Sequence, residues 1–302
     1  MKKIIFIIAF IAGLFALPAR AASGDLFVYP TPPDSMMQLQ SRCDYIVSRF
    51  WQRCNFDHAM RNRAQFHKAF GDWVSIMPHA SADTVHAAVD DLLARFSKKG
   101  PETLALAEMA RAWTFSDTTD FRSDEIYAPF ANAVAGHKKI AKQDRAPFAA
   151  DAKRLNTSMV GANVPALSYT IRGGETSGFD KLTPGASVLL FFCRRDDVDA
   201  SLARLSLDLD HNARELIERG ELAIACINPE AYSPEWDKDV ASYPANWTVA
   251  AMPDAADYFD LSRPVQLYFL DASHKVLVKD MDVEYLIGAF DIANRARKHK
   301  AK

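Results

Sequence analysis

The chain has few cysteines, and no two of them form a Cys-x-x-Cys pair. There are four in 302 residues: Cys43, Cys54, Cys193 and Cys226. On one continuous helix Cys43 and Cys54 would stand about 16 Å apart, which is too far for a disulfide. Cys193 and Cys226 end two strands that are predicted to be neighbours. We expect four buried free thiols, since cysteine is among the most buried residues; a Cys193–Cys226 pair is the alternative.

The chain also lacks an excess of either charge. It carries 36 basic and 38 acidic residues, a formal net charge of −2, which argues against nucleic acid or an anionic membrane as a partner. The eight histidines are scattered and contain no His-Glu-x-x-His pattern. The turn "IRGGETSG" lacks the spacing of a phosphate-binding loop, and no Gly-x-Ser-x-Gly elbow occurs. We therefore expect neither a metal nor a cofactor.

Long apolar runs are confined to the start of the chain. Two lysines precede "IIFIIAFIAGLFAL", and "ARA" follows it, the pattern of a secretory signal with a small-x-small cleavage site. The run is too short to span a bilayer comfortably, although an uncleaved anchor is the alternative. No cysteine follows, which excludes a lipoprotein anchor. We expect residues 1–21 to be a signal peptide and the mature protein to be exported, periplasmic or otherwise soluble in the cell envelope, with no membrane span after cleavage.

Residues 22–156 follow the helical period and predict an all-α N-terminal domain. Ser81 is a candidate N-cap, and Gly100-Pro101 ends one helix and opens the next. Further helices are predicted over 125–141 and 145–155. Two apolar stripes mark the core of this domain: Phe66, Phe70, Trp73, Val74 and Met77, and Val85, Val89, Leu92, Leu93 and Phe96.

The pattern changes at the turn-rich segment "NTSMVGANVP", so a second domain is predicted over 157–302. A helix over 198–219 and a final helix "VEYLIGAFDIANRAR" alternate with strands. The irregular stretch before the hairpin holds Trp236 and Trp247, interpreted as packing residues; an exposed aromatic pair for carbohydrate or peptide is the alternative. This order predicts an α/β mixed sheet flanked by helices. The predicted strands are "ALSYTIRGG", "SVLLFF", "ELAIACI", "PVQLYFLD" and "KVLVKD".

Two segments of the second domain carry a family resemblance. "VPALSYTIRGG…GFDKLTPGASVLLFF" has a Pro-x-Leu strand, a glycine turn and a central strand; "YFDLSRPVQLYFLDASHKVLVKD" has a proline that starts a strand and an Asp that begins the next turn. They resemble envelope thiol-disulfide oxidoreductases of the thioredoxin-like superfamily over 161–297. "YPTPPDSMMQLQSRCDYIVSRFWQRCNFDHAM" and "FRSDEIYAPFANAV" resemble uncharacterised exported bacterial proteins with a helical domain before a thioredoxin-like one.

The resemblance implies where the reactive cysteines of a thioredoxin would lie. The attacking position falls on Asp196 or Asp197 and the resolving position on Asp199 or Ala200, so either register lacks Cys-x-x-Cys. A carboxylate can cap a helix N-terminus but cannot form a mixed disulfide. We interpret these four residues as degenerate active-site positions; a cation bound by the three acids is the alternative.

Cys193 directly follows the aromatic residues of the central strand. We expect it to point along the sheet rather than into a groove, as an inert core residue. In the alternative, Arg194 and Arg195 favour its thiolate, and Cys193 acts as a nucleophile with or without Cys226.

Pro264 matches the loop proline that thioredoxins hold in the cis form beside the active site. The resemblance thus implies a cis Arg263–Pro264 peptide, whose backbone could pair with an extended peptide by adding a strand. Arg194, Arg195 and Arg263 would line this groove together with the acids of the helix start. In the alternative, the proline only ends a loop and the arginines are solvated.

Together these features predict an exported protein whose redox-inactive thioredoxin-like domain binds envelope polypeptides without catalysis. The first alternative is an atypical thiol-disulfide oxidoreductase that uses Cys193 with or without Cys226. The second is an assembly component whose helical half makes the contacts. The sequence makes no prediction of the oligomeric state.

Overall fold

The computed structural model describes residues 26–116, 118–182 and 185–300, so the predicted signal peptide lies outside the described residues. The chain forms two compact units, one ending at Ala149 and the other beginning at Ala150. Within the described ranges, no helix has the length and apolar character needed to cross a bilayer.

The first unit is helical, as predicted. Ser81 caps its fourth helix by accepting a hydrogen bond from the backbone N–H of Thr84, and Pro101 occupies the first turn of the fifth. The sixth helix ends at Ala135, earlier than predicted, because Gly136 follows it. The helices are Leu39–Arg49 (α1), Phe56–Arg61 (α2), Arg63–Ile76 (α3), Ala82–Phe96 (α4), Gly100–Thr114 (α5), Asp124–Ala135 (α6) and Lys142–Ser158 (α7), the last continuing into the second unit.

Aromatic side chains form the centre of the helical unit. The rings of Trp51 and Trp73 meet edge to face with centroids 5.5 Å apart, and Phe66 meets Trp51 at the same distance. The Trp73 indole N–H donates to the carbonyl of Val47 at 3.2 Å, which satisfies the buried polar group. The first predicted stripe is buried throughout; in the second, Leu93 alone is partly exposed.

The second unit is built on a seven-stranded mixed sheet. The strand order is β2-β1-β5-β4-β3-β6-β7, with β4 parallel to both β3 and β5 and the other neighbours antiparallel. The predicted strands are confirmed, and two short ones, β2 and β5, were not predicted. The strands are Ser168–Ile171 (β1), Thr176–Gly178 (β2), Ser187–Cys193 (β3), Leu222–Asn228 (β4), Thr248–Ala251 (β5), Val265–Leu270 (β6) and Val276–Lys279 (β7).

The predicted helix over 198–219 is two helices, Val198–Leu209 (α8) and His211–Glu218 (α9). Asp210 leaves the helical conformation between them, and its carboxylate accepts a hydrogen bond from the N–H of Ala213 at 2.7 Å. Aspartate favours this capping position over a helix interior, which explains the break.

Two more helices complete the unit, Pro234–Asp239 (α10) and Val283–Lys300 (α11). Apolar clusters cover both faces of the sheet, so β3 and β4 are buried almost throughout. Trp236 and Trp247 belong to one of these clusters and are buried, which confirms that they are packing residues.

Candidate binding cleft

A cleft of about 750 Å³ lies at the carboxyl ends of β3 and β4. Because these strands are parallel, the segments that follow Cys193 and Asn228 leave the sheet at the same edge. The loop before β6 closes the cleft from the other side of β3, since β6 pairs with β3. Four arginines and three acids line it: Arg194, Arg195, Arg204, Arg263, Asp196, Glu230 and Asp239.

The structure brings most of the predicted groove residues together here. Arg194, Arg195, Arg263 and Pro264 all line the cleft, although they come from two separate loops. Asp196 lines it as well. These residues therefore share one surface, with the mixed charge that the sequence predicted.

The other residues interpreted as degenerate active-site positions belong to the start of α8. Asp197 is its N-cap, and the carboxylate accepts a hydrogen bond from the N–H of Ala200 at 2.8 Å. Asp199 is exposed in the first turn, and Ala200 is buried. The capping role predicted for these acids thus falls to Asp197.

The predicted cis peptide before Pro264 is wrong, because the Arg263–Pro264 bond is trans. The preceding loop is held by Tyr268, whose hydroxyl accepts from the N–H of Asp260 at 3.0 Å and donates to its carbonyl at 3.2 Å. A trans bond, the common form before proline, carries the chain from this anchored loop into β6, where Val265 pairs with Cys193. The prediction that an extended peptide adds a strand at Arg263 rested on a cis bond, so the structure removes its basis.

Cys193 forms part of the cleft floor, contrary to the expectation that it points away from the groove. Only 3% of its surface is exposed. Its Sγ lies 3.6 Å from the Sγ of Cys226 on β4. Both thiols are free, as predicted. The sulfurs are farther apart than the about 2.0 Å of a disulfide bond.

A buried amide holds the two strand ends together. Asn228 donates from Nδ2 to the Cys193 carbonyl at 2.8 Å and to the Cys193 Sγ at 3.5 Å. Its Oδ1 accepts from the indole N–H of Trp236 at 3.1 Å. Burial, and secondarily the neighbouring Cys193, raises the pKa of the Cys226 thiol well above its usual range. Cys226 is therefore a neutral thiol at physiological pH.

Arg195 is fixed by acids within the cleft. Its Nη2 lies 2.6 Å from Oε2 of Glu230, and its Nη1 contacts Asp239. The hydrogen bond and charge of Glu230 raise the pKa of Arg195. The charge of this arginine is thus locally neutralised.

Arg204 and Tyr243 are cleft residues that sequence reasoning missed. The Arg204 guanidinium lies over the Tyr243 ring, 4.2 Å from its centroid. The spacing of Ser201 and Arg204 on one face of α8 offered a signal, since residues three apart are neighbours on a helix. No local pattern marked Glu230 or Tyr243, which reach the cleft only because β4 pairs with β3. Within the described ranges, no cluster of His, Cys, Asp and Glu suits a metal ion.

Comparisons with known proteins fit this architecture. Residues 17–155 match the model of a domain of unknown function, DUF5106. The structure is similar to that of a thioredoxin-like protein from Bacteroides caccae, with a TM-score of 0.67 and 19% identity over 88% of this chain and 98% of the other. That likeness shows the fold: a thioredoxin-like sheet after a helical N-terminal region.

Two shorter structures match part of the chain. One is a conserved protein of unknown function from Bacteroides fragilis, with a TM-score of 0.41 and 24% identity over 44% of this chain and 98% of the other. The other is the thioredoxin domain of a thiol-disulfide oxidoreductase from Bacteroides vulgatus, with a TM-score of 0.37 and 14% identity over 44% and 95%. None of the curated proteins compared with the chain is similar to it.

Proposed function

We propose that the chain binds polypeptide segments non-covalently in the cleft of its thioredoxin-like unit. The observation that carries this proposal is the cleft itself, about 750 Å³ in volume and lined by both arginines and carboxylates. Clefts of this size commonly hold ligands, and the mixed charge suits a polypeptide rather than a polyanion.

The start of α8 supports a function without covalent exchange. Asp197 occupies the N-cap, where its carboxylate gains from the helix field but cannot form a mixed disulfide. The sulfur nearest the cleft, that of Cys193, is almost fully buried, and its neighbour Cys226 is held neutral. Thiol exchange requires an accessible thiolate, so this arrangement disfavours it.

The proposed place of action is the cell envelope. The apolar run after two lysines and the "ARA" site that follows it support export. The partners would then be polypeptides of that compartment.

The test is the binding of a labelled, cysteine-free, extended peptide, measured by fluorescence anisotropy. Ala256 is exposed and lines the cleft, so Ala256→Trp places a large side chain in the cleft at a position outside the core. We expect this variant to weaken binding at least about tenfold, or about 1.4 kcal/mol. Ala293→Trp, at an exposed position of α11 outside the cleft, is the matched control and should bind like the wild type.

Cys193→Ser should also bind like the wild type if the sulfur takes no part. Unchanged affinity in Ala256→Trp would move the binding site elsewhere and overturn the proposal.

The contact between the two thiols favours a second candidate, an oxidoreductase that uses Cys193 and Cys226. The Cys193 thiolate would attack a substrate disulfide and release one substrate thiolate. The Cys226 thiolate would then attack the Cys193 sulfur and release the second. Two electrons pass to the substrate, and the protons of the two cysteines go to its thiolates. Alkylation and non-reducing mass spectrometry after incubation with a disulfide peptide should find a Cys193–Cys226 disulfide only in this case.

A further inference from the structure

The cleft contains arginines that no acid of the described chain neutralises. Arg195 is paired with Glu230 and Asp239. Arg263 donates to a backbone carbonyl, that of Asp280, at 3.4 Å. Among the described residues, no carboxylate pairs with Arg194 or Arg204.

Arg204 is held in place although it lacks an anionic partner. Its guanidinium stacks on Tyr243, and its Nε is buried with no hydrogen-bond partner in the described part of the chain. A buried donor on a charged group is costly when it is left unpaired. The stacking fixes the plane of the guanidinium fork, whose geometry matches the two oxygens of a carboxylate or phosphate.

The charge of the cleft decides between these two anions. Its four arginines and three carboxylates leave one net positive charge. One positive charge suits a singly charged carboxylate, whereas a phosphate with close to two negative charges would also meet the repulsion of Asp196, Glu230 and Asp239.

We infer that the cleft binds a carboxylate of its polypeptide ligand, with Arg204 as the main contact and Arg194 at the rim. This inference rests on the proposed function and names the ligand chemistry of the same site. Tyr243 lines the cleft beneath the Arg204 guanidinium and completes the contact surface. The carboxylate can be the C-terminus of the ligand or an Asp or Glu side chain.

Four N-acetylated peptides of otherwise identical sequence test the inference and separate the two sources. One has a free C-terminus and no acidic side chain; the second is its C-terminal amide; the third is the amide with a central Glu; the fourth is the amide with a central Gln. We expect one of the two carboxylate peptides to bind at least about tenfold more tightly than its neutral counterpart in fluorescence anisotropy.

Arg204→Gln should abolish this preference, so that each carboxylate peptide binds with the affinity of its neutral counterpart. Arg194→Gln, at an exposed position, should reduce the preference by a smaller factor. The matched control is Arg214→Gln, whose guanidinium lies 3.9 Å from the carboxylate of Asp208 outside the cleft. This control should keep the full preference.

The outcomes that overturn the inference differ from those that overturn the proposed function. Equal binding of each carboxylate peptide and its neutral counterpart, or a preference that survives in Arg204→Gln, overturns the inference alone. If none of the four peptides binds the wild-type chain, the proposed function fails as well.

Discussion

The two units of the chain handle buried polar groups in different ways. In the helical unit, the centre is aromatic, and a buried donor such as the Trp73 indole N–H is satisfied by one backbone carbonyl. In the sheet unit, the amide of Asn228 and two thiols lie beneath a charged cleft. The first arrangement is explained by core packing and stability. The second places polar chemistry next to solvent, which is why we assign binding to the sheet unit.

The largest effect on stability is expected from a substitution in the aromatic centre of the helical unit. Trp73 is fully buried among aromatic rings, so Trp73→Ala should lower the free energy of unfolding by about 3–5 kcal/mol. Urea unfolding followed by circular dichroism measures this. Met37→Ala, at a side chain that is 83% exposed, is the control and should change little. Folded Trp73→Ala should keep the wild-type peptide affinity; loss of that affinity would break the assignment of binding to the sheet unit.

Asn228→Ala tests the buried amide that bonds to Cys193 and Trp236 beneath the cleft. The substitution leaves the Cys193 carbonyl and the Trp236 indole N–H without their partner, and we expect a loss of about 2–4 kcal/mol. Urea unfolding measures it against Asn163→Ala, whose side chain is exposed. Equal stability of the two variants would show that the hydrogen bonds of Asn228 contribute nothing to the free energy of unfolding.

Alkaline pH should weaken the sheet unit through Tyr243. Burial raises the pKa of this side chain to about 12 in the folded protein. An unfolded tyrosine loses its proton near pH 10, so the unfolded state is favoured as the pH rises from about 10 to 12. Between pH 9 and pH 12 the free energy of unfolding should fall further in the wild type than in Tyr243→Phe, by on the order of 2 kcal/mol. Unfolding curves at pH 9 and pH 12 measure this difference, and identical losses would contradict it.

The smallest effect is expected at the start of α8. Asp197→Ala removes the N-cap and should cost about 1 kcal/mol. Asp199→Ala, at an exposed position in the first turn, should lower the free energy of unfolding by only a few tenths of a kcal/mol. Thermal unfolding compares the two. A larger loss of stability in Asp199→Ala than in Asp197→Ala would show that Asp197 is not the N-cap of α8.

The sequence predicts the helical unit well because its signals are local. A period of 3.6 residues places the aromatic stripe on one face of α3, and serine at position 81 marks the start of α4 at the next residue. The break at Asp210 is also local, but the apolar pattern continues across it and hides it. The short strands β2 and β5 offer too few residues for a periodic signal.

The cleft was only partly predictable because it depends on strand pairing. Arg194 and Arg263 could be assigned to it through a resemblance that supplied the topology. Glu230 and Tyr243 lie in an irregular segment, and nothing in that segment shows which strand end it will face. The trans bond before Pro264 departs from the cis form that the resemblance implied, and no local residue pattern distinguishes the two forms.

The reduction of insulin disulfides by dithiothreitol, followed as turbidity, tests most directly the proposal that this thioredoxin-like unit carries out no thiol exchange. Wild type, Cys193→Ser and a sample without protein are compared at equal dithiothreitol concentration. The account predicts the same rate in all three. A faster rate with wild type that falls to background in Cys193→Ser would contradict it.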